Sequence, residues 1–252
     1  MFLSSRRADR SHQIIQPLRL RDDVLILEIR AAMGGADAEL FAAELARAYL
    51  GFAERRGWAR EALEWRNAGD GIRLAVLRLA GPGVAGLSSE AGTHRVQRQP
   101  VTDRAGRRHT SAVTVSTLPI PADLSTILDL REVSLETFRS SGAGGQNIQK
   151  TETAVRATHR PSGLTAAVQD ERSQSQNRQR ALELLGARVA ARAQGQADGE
   201  RSDLRRSMVG SGHIAERIRT YAYREGLVTD HRSGAVMPLD RFLAGAFEPL
   251  IG

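Results

Sequence analysis

The sequence predicts an α+β protein in two parts, and three observations carry that expectation. The chain has 252 residues, against a usual ~150 per domain. A strand–turn–helix pattern stands near its start. A second set of short strands and a long basic helix follows two closely spaced prolines, Pro119 and Pro121. With 41% hydrophobic and 26% charged residues, the composition is that of a globular chain and not of a disordered one. Only 4% of the residues are aromatic, so the core is expected to consist of Leu, Val, Ile and Ala.

Beyond a polar start, "VLILEIR" (Val24 to Arg30) is a dense β-branched and leucine run, the pattern of a buried strand. Gly34 and Gly35 make a turn. Asp37 stands near a helix N-terminus, and Leu40, Phe41, Leu45, Tyr49 and Phe52 share one helical face before Gly57 ends it. Short alternating stretches follow from Glu61 to Ser89; in "GIRLAVLRLAG", Ile72, Leu74 and Val76 are expected on one face. "HTSAVTVSTLPIP" is a Val/Thr strand, expected to be closed by Pro119 and Pro121. Strands "EVSLETFRS", "TAVRATH" and "GLTAAVQ" come next, the last two joined by an "RPSG" turn. "SQSQNRQRALELLGARVAARAQG" has helical spacing, with Leu182, Leu185 and Val189 inward and Arg178, Arg180, Arg188 and Arg192 outward. "QGQADGERSD" then predicts a flexible break.

Charge and cysteine usage bound the function classes. There are 36 basic against 29 acidic residues, a net charge of +7, and every basic residue except Lys150 is arginine. The planar guanidinium fork suits phosphate, so the excess points toward nucleic acid; a coding bias toward arginine is the plainer alternative. The absence of cysteine excludes disulfides, zinc ribbons and thiol catalysis. No apolar run approaches the ~20 residues of a membrane span, and "MFLSSRRADRSHQ" lacks the form of a signal peptide. A cytoplasmic chain without membrane contact is expected.

One stretch carries chemistry. "SSGAGGQNIQKTE", Ser140 to Glu152, sets three glycines within four positions and follows them with a glutamine. A Walker-type loop needs Gly directly before Lys-Ser/Thr, and here Gln149 precedes Lys150-Thr151. The dinucleotide fingerprint has different glycine spacing and a helix directly behind it. A plain strand-connecting loop accounts for the glycines by themselves. Gly-Gly beside Gln also permits a close backbone approach to a reacting ester, with an N–H aimed at a developing oxyanion. No carboxylate pair, Ser-His-Asp arrangement or metal-ligand spacing stands in the chain, so no metal and no cofactor is expected. Hydrolysis would need groups supplied from outside.

"SSGAGGQNIQKTETAVRATHRPSGL" followed by "QDERSQSQNRQRALELLGAR" resembles the catalytic domain of bacterial class I peptide chain release factors. Gly144-Gly145-Gln146 is then the Gly-Gly-Gln signature. The resemblance implies that Gln146 is the principal catalytic position: its backbone amide stabilises the transition state of peptidyl-tRNA ester hydrolysis, and its side chain helps to select water. Gly144 and Gly145 provide the conformation. It also implies N5-methylation of Gln146 by a dedicated glutamine methyltransferase, and activity only together with the ribosome.

"SEAGTHRVQRQPVTDRAGRRHTSAVTV" resembles the stop-codon-reading region of the same family. Pro100-Val101-Thr102 matches the Pro-x-Thr tripeptide of the release factor 1 type, which reads UAA and UAG. The resemblance implies that Thr102 meets the second base, that His109 stacks, and that Gln97 and Thr110 meet the third base, with Arg98 in the same group. Edge hydrogen bonds and stacking are how single-stranded bases are read. By itself, His109 is also compatible with a hydrogen-bonded strand histidine. Arg95, Arg104, Arg107 and Arg108 suit RNA phosphates, as do Arg178 and Arg180 on the basic helix. Gly34 and Asp37 fall where the family packs a helix tip on the first-position uracil; Ala32-Met33 stands for its Gly-Thr, and Asp37 for its Glu.

The implied organisation is a short tail over 1–20, a mixed α/β codon-recognition domain over 21–124 completed by 207–252, and a small α+β catalytic domain over 125–206 with the Gly-Gly-Gln loop and the long basic helix. Only about twenty residues precede the first matching strand, so the family's N-terminal helical domain is expected to be missing. Implied partners are the ribosomal RNA of the decoding and peptidyl-transferase centres, an mRNA stop codon and peptidyl-tRNA, met by a monomer. A rescue factor that releases peptides without strict stop recognition, and an RNA-binding protein without catalysis, are the competing expectations.

Overall fold

The computed structural model describes residues 19–99, 109–139, 153–169, 173–208 and 217–251. β1 (Leu20–Met33) leads through Gly34-Gly35 into α1 (Ala36–Arg55). β2 (Ala59–Ala68), β3 (Gly71–Ala80), β4 (Gly92–Arg98) and β5 (His109–Pro121) follow; β6 (Val133–Phe138), β7 (Ala154–His159) and β8 (Leu164–Val168) form a second sheet of three strands. After α2 (Gln174–Met208), the chain returns to the first sheet with β9 (Arg217–Ala222), β10 (Leu227–Asp230) and β11 (Val236–Pro238), and α3 (Leu239–Leu243) closes it. The large sheet runs β11-β10-β9-β4-β5-β1-β3-β2. Its pairs are antiparallel except β4 with β9, which is parallel. The architecture is α+β. Among the described residues no helix is long and apolar enough to cross a membrane.

The period-2 pattern of β1 explains both cores. Leu25, Leu27 and Ile29 point to one face and meet Phe41, Leu45, Tyr49 and Phe52 of α1. Val24 and Ile26 point to the other and join Leu74, Val76, Leu118, Val155, Val168, Leu184 and Leu185, so α2 and the small sheet cover that face. Both faces buried is why "VLILEIR" is a continuous apolar run.

Several expectations are corrected. Ile72 does not share a face with Leu74 and Val76: Asn67 pairs Ile72 while Arg66 pairs Leu74, so a bulge at Arg73 turns Ile72 into the α1 core. β5 ends at Pro121, as expected, while Pro119 lies within the strand; they pair with Leu20 and Leu25 respectively. β4 pairs β5 only as far as Val115, so beyond that point β5 is an edge on one side, where a missing N–H costs nothing. The break expected in "QGQADGERSD" is absent; α2 runs through it for 35 residues in all. The inward stripe of α2 is Asn177, Ala181, Leu184 and Leu185, with Leu182 and Val189 only half-buried.

The same phase turns Arg180 and Arg188 toward the large sheet and not outward, while Arg178 and Arg192 are exposed. Arg188 Nε donates to Glu28 at 2.6 Å, Arg180 Nη2 to Glu61 at 2.9 Å, and Arg78 Nε to Glu183 at 3.2 Å. These pairs ring the apolar contact between α2 and the sheet.

A second polar group is wholly internal. Arg219 on β9, fully buried, donates to Glu90, to Asp230 Oδ2 at 3.0 Å and to the Leu250 carbonyl at 2.9 Å. Tyr49 of α1 donates to Glu90 at 3.0 Å. The last part of the chain is thereby tied to α1 and to the residues just before β4.

Candidate functional site

The turn between β1 and α1 is built on a backbone that only glycine adopts readily. Gly34 has φ +121°, and a Cβ there would stand 2.2 Å from Ser111 Oγ on β5. This close approach sets the first turn of α1 against the end of β5. Asp37, 3% exposed, lies in that turn, where a carboxylate complements the helix dipole. Its Oδ2 accepts from Ser111 Oγ at 2.7 Å and its Oδ1 from Arg98 Nε at 2.6 Å.

Arg98, the last residue of β4, carries the arrangement further. Its Nη1 donates to Glu44 Oε1 at 2.7 Å, and its guanidinium lies over the Tyr223 ring at 4.9 Å. Tyr223 donates its hydroxyl to the second oxygen of Glu44. Burial opposes the charge of Arg98, but the bonds to Glu44 and Asp37 more than offset it and hold its pKa above the ordinary value. Burial and the Glu44 carboxylate push the Tyr223 hydroxyl up, so it stays a donor.

Beside this group the register of β4 and β5 places Gln97 opposite Thr110, and Arg98 opposite His109. His109 and Thr110 are exposed, and Gln97 is half-buried. Arg95, also half-buried, shares the face of Gln97 two residues earlier. The structure therefore brings Gly34, Asp37 and Arg98 together, and sets Gln97, His109 and Thr110 along the adjoining strand ends. Arg178 and Arg180 lie apart on α2, and Arg180 has its charge met by Glu61 and Glu183. Pro100, Val101, Thr102, Arg104, Arg107, Arg108, Gly144, Gly145 and Gln146 lie outside the described residues. In sequence the first six fall between β4 and β5, and the last three between β6 and β7.

Glu44, Ser111 and Tyr223 were not anticipated. Glu44 had a signal, since it stands seven residues after Asp37 and so on the same helical face. Ser111 and Tyr223 reach the group through sheet pairing, which local spacing does not reveal. Among the described residues no group of three or more His, Asp or Glu is placed to hold a metal ion.

The chain as a whole resembles known proteins. Residues 7–115 match the PCRF domain and residues 123–232 the RF-1 domain. The fold resembles RF2 of Thermus thermophilus with a TM-score of 0.80 and 34% identity, covering 91% of this chain and 66% of that one. The chain belongs to the peptide chain release factor family. Within that family it is similar to release factor 1: it is 45% identical to peptide chain release factor 1 of Limosilactobacillus fermentum over 91% of this chain and 65% of the relative. It is 44% identical to that of Rhodospirillum rubrum over 91% of this chain and 67% of the relative. The chain thus spans about 65% of the length of the first of these relatives.

Proposed function

We propose that this chain terminates translation by stop-codon-dependent hydrolysis of the peptidyl-tRNA ester in the ribosomal peptidyl-transferase centre, responding to UAA and UAG. One observation carries the reading: a single chain that matches both the PCRF and RF-1 domains also carries Pro100-Val101-Thr102 and Gly144-Gly145-Gln146 in sequence. The grouping of Gln97, His109 and Thr110 at neighbouring strand ends, beside the α1 tip, supports it.

In this reading residues 21–124 with 207–252 read the codon, and 125–206 carry the catalytic loop. Gly34 and the tip of α1 meet the first base, Thr102 the second, and Gln97 and Thr110 the third, with His109 stacking. Water attacks the ester carbonyl, the acyl bond to the tRNA ribose oxygen breaks, and the ribose recovers a hydroxyl. The Gln146 N–H donates to the oxyanion, a contribution typically worth ~2.7–4 kcal/mol. Ribosomal RNA and the tRNA supply the remaining groups, and a glutamine methyltransferase modifies Gln146. The chain works as a cytoplasmic monomer.

The test is peptide release from purified ribosome complexes programmed with UAA, UAG, UGA, a sense codon or an empty A site, using wild type and Gln146→Ala. Release confined to UAA and UAG, and lost in the variant, is the expected result. Equal release on every codon would favour a rescue activity, and none anywhere would leave RNA binding alone.

A further inference from the structure

Tyr223 joins two parts of the site that no local stretch of sequence connects. Its ring lies against the Arg98 guanidinium at 4.9 Å, and its hydroxyl donates to Glu44, the carboxylate that accepts from Arg98 Nη1. Its backbone N–H donates to the Gln97 carbonyl at 3.1 Å. One residue from the returning C-terminal segment therefore fixes both the backbone of Gln97 and the side chain that clamps Asp37.

Arg98 itself is placed as a strut. Nε donates to Asp37 Oδ1 at 2.6 Å, Nη1 to Glu44 at 2.7 Å and Nη2 to the Asp37 carbonyl at 3.4 Å, while its side chain is 11% exposed. Three of its five N–H groups are engaged inside the chain. With Asp37 held on its other side by Ser111, the α1 tip is tied to both β4 and β5.

We propose that Tyr223 is a positioning residue for codon discrimination, acting through Arg98 and Glu44 on the α1 tip and through its main chain on Gln97. This rests on the codon-reading function proposed above. Discrimination at the first codon base then depends on a side chain contributed from beyond β9. The ring contributes more than the hydroxyl, because only the ring supports the buried guanidinium while Glu44 keeps its bond to Arg98 when the hydroxyl is lost.

The experiment measures release by the full chain on ribosome complexes with UAA and with CAA in the A site. It compares wild type, Tyr223→Phe and Tyr223→Leu, with thermal unfolding of each recorded alongside. For Tyr223→Leu, KM on UAA is expected to rise about tenfold and the UAA/CAA ratio of kcat/KM to fall about tenfold, with a much smaller change in kcat. Tyr223→Phe, which keeps the ring, is expected to lose roughly two- to threefold in that ratio; both variants keep the backbone N–H that donates to Gln97. An unchanged ratio in Tyr223→Leu overturns the inference while leaving the proposed function intact. So does an equal fall in kcat on both codons that tracks lost thermal stability, since that marks a merely structural role. Wild type that releases equally on UAA and CAA overturns the codon-reading function and this inference with it.

Discussion

The hydroxyl of Tyr221 lies 2.8 Å from Nδ1 of His94, and both residues are buried. The other ring nitrogen, Nε2, is 3.1 Å from the Glu90 carbonyl, which can only accept. Nε2 therefore carries a ring proton, and because burial disfavours the charged ring His94 is neutral, with Tyr221 donating to Nδ1.

That assignment sets a pH dependence. Burial, reinforced by the positive charge of Arg219, holds His94 down at about 3. In the unfolded chain it titrates near 6.5, so between the two values the unfolded state binds more protons and stability falls as pH is lowered. Urea unfolding from about pH 7 to pH 4 should show wild type losing more stability than His94→Gln. A constant difference between the two across that range would contradict the assignment.

Arg219→Met should be among the most damaging single changes. It leaves Glu90 and Asp230 without the cation between them, in a place where water does not compensate. Breaking a buried pair from one side costs about 3–5 kcal/mol. Equilibrium denaturation gives the number directly, and a loss under about 1 kcal/mol would show that the pair is dispensable.

Gly34→Ala combines a left-handed backbone with a Cβ 2.2 Å from Ser111 Oγ. The expected penalty is about 1–3 kcal/mol from backbone strain, with the displacement of Ser111 added. Gly35→Ala is a control for the steric part, since its Cβ would meet nothing within 4 Å and only its φ of +58° is unfavourable. Denaturation curves that rank Gly35→Ala as the worse of the two would count against the close packing.

On the other face of the sheet, Arg188→Ala should destabilise by about 1–3 kcal/mol, because Glu28 is largely buried and loses a charge-assisted bond. Arg188→Lys should recover only part of that. Lysine lacks the fork with which Arg188 reaches Glu28, Glu64 and the Thr165 carbonyl together.

Thr110→Val keeps the shape of an exposed strand position opposite Gln97 and removes its hydroxyl. If that hydroxyl meets the third codon base as proposed, discrimination there should fall by about 1 kcal/mol, roughly fivefold, with little change in stability. Release measured on UAA against UAC and UAU reads this, and identical ratios in the two proteins would remove Thr110 from the reading group.

Much of the fold is legible because it depends on period alone. The alternation of β1 and the apolar stripe of α1 identify strand, turn and helix without any partner. Legibility fails where the pairing partner decides: the Arg73 bulge turns Ile72 over, and with β4 pairing β5 only as far as Val115 the strand passes Pro119 before it ends at Pro121. On α2 the inward stripe runs into Arg188, a polar residue that a hydrophobic pattern assigns to solvent. For the site, Gly34, Asp37 and Arg98 are each conspicuous in sequence, but the residues that hold Arg98 are 54 and 125 positions away from it, at Glu44 and Tyr223.

The parallel pairing of β4 with β9 has a consequence for how the chain is made. Roughly 120 residues of sequence separate Arg98 from Arg217. At ~5–20 residues per second, a ribosome takes about 6–24 s to cover that distance. Once β5 is made, the nascent β4 has a neighbour on one side only for the rest of that interval, and Glu90 and His94 await the arginine and tyrosine that bury them. The large sheet is therefore completed only after β9 is made, and a chain interrupted before β9 would display an open strand edge of the kind that chaperones bind and that aggregates when they do not.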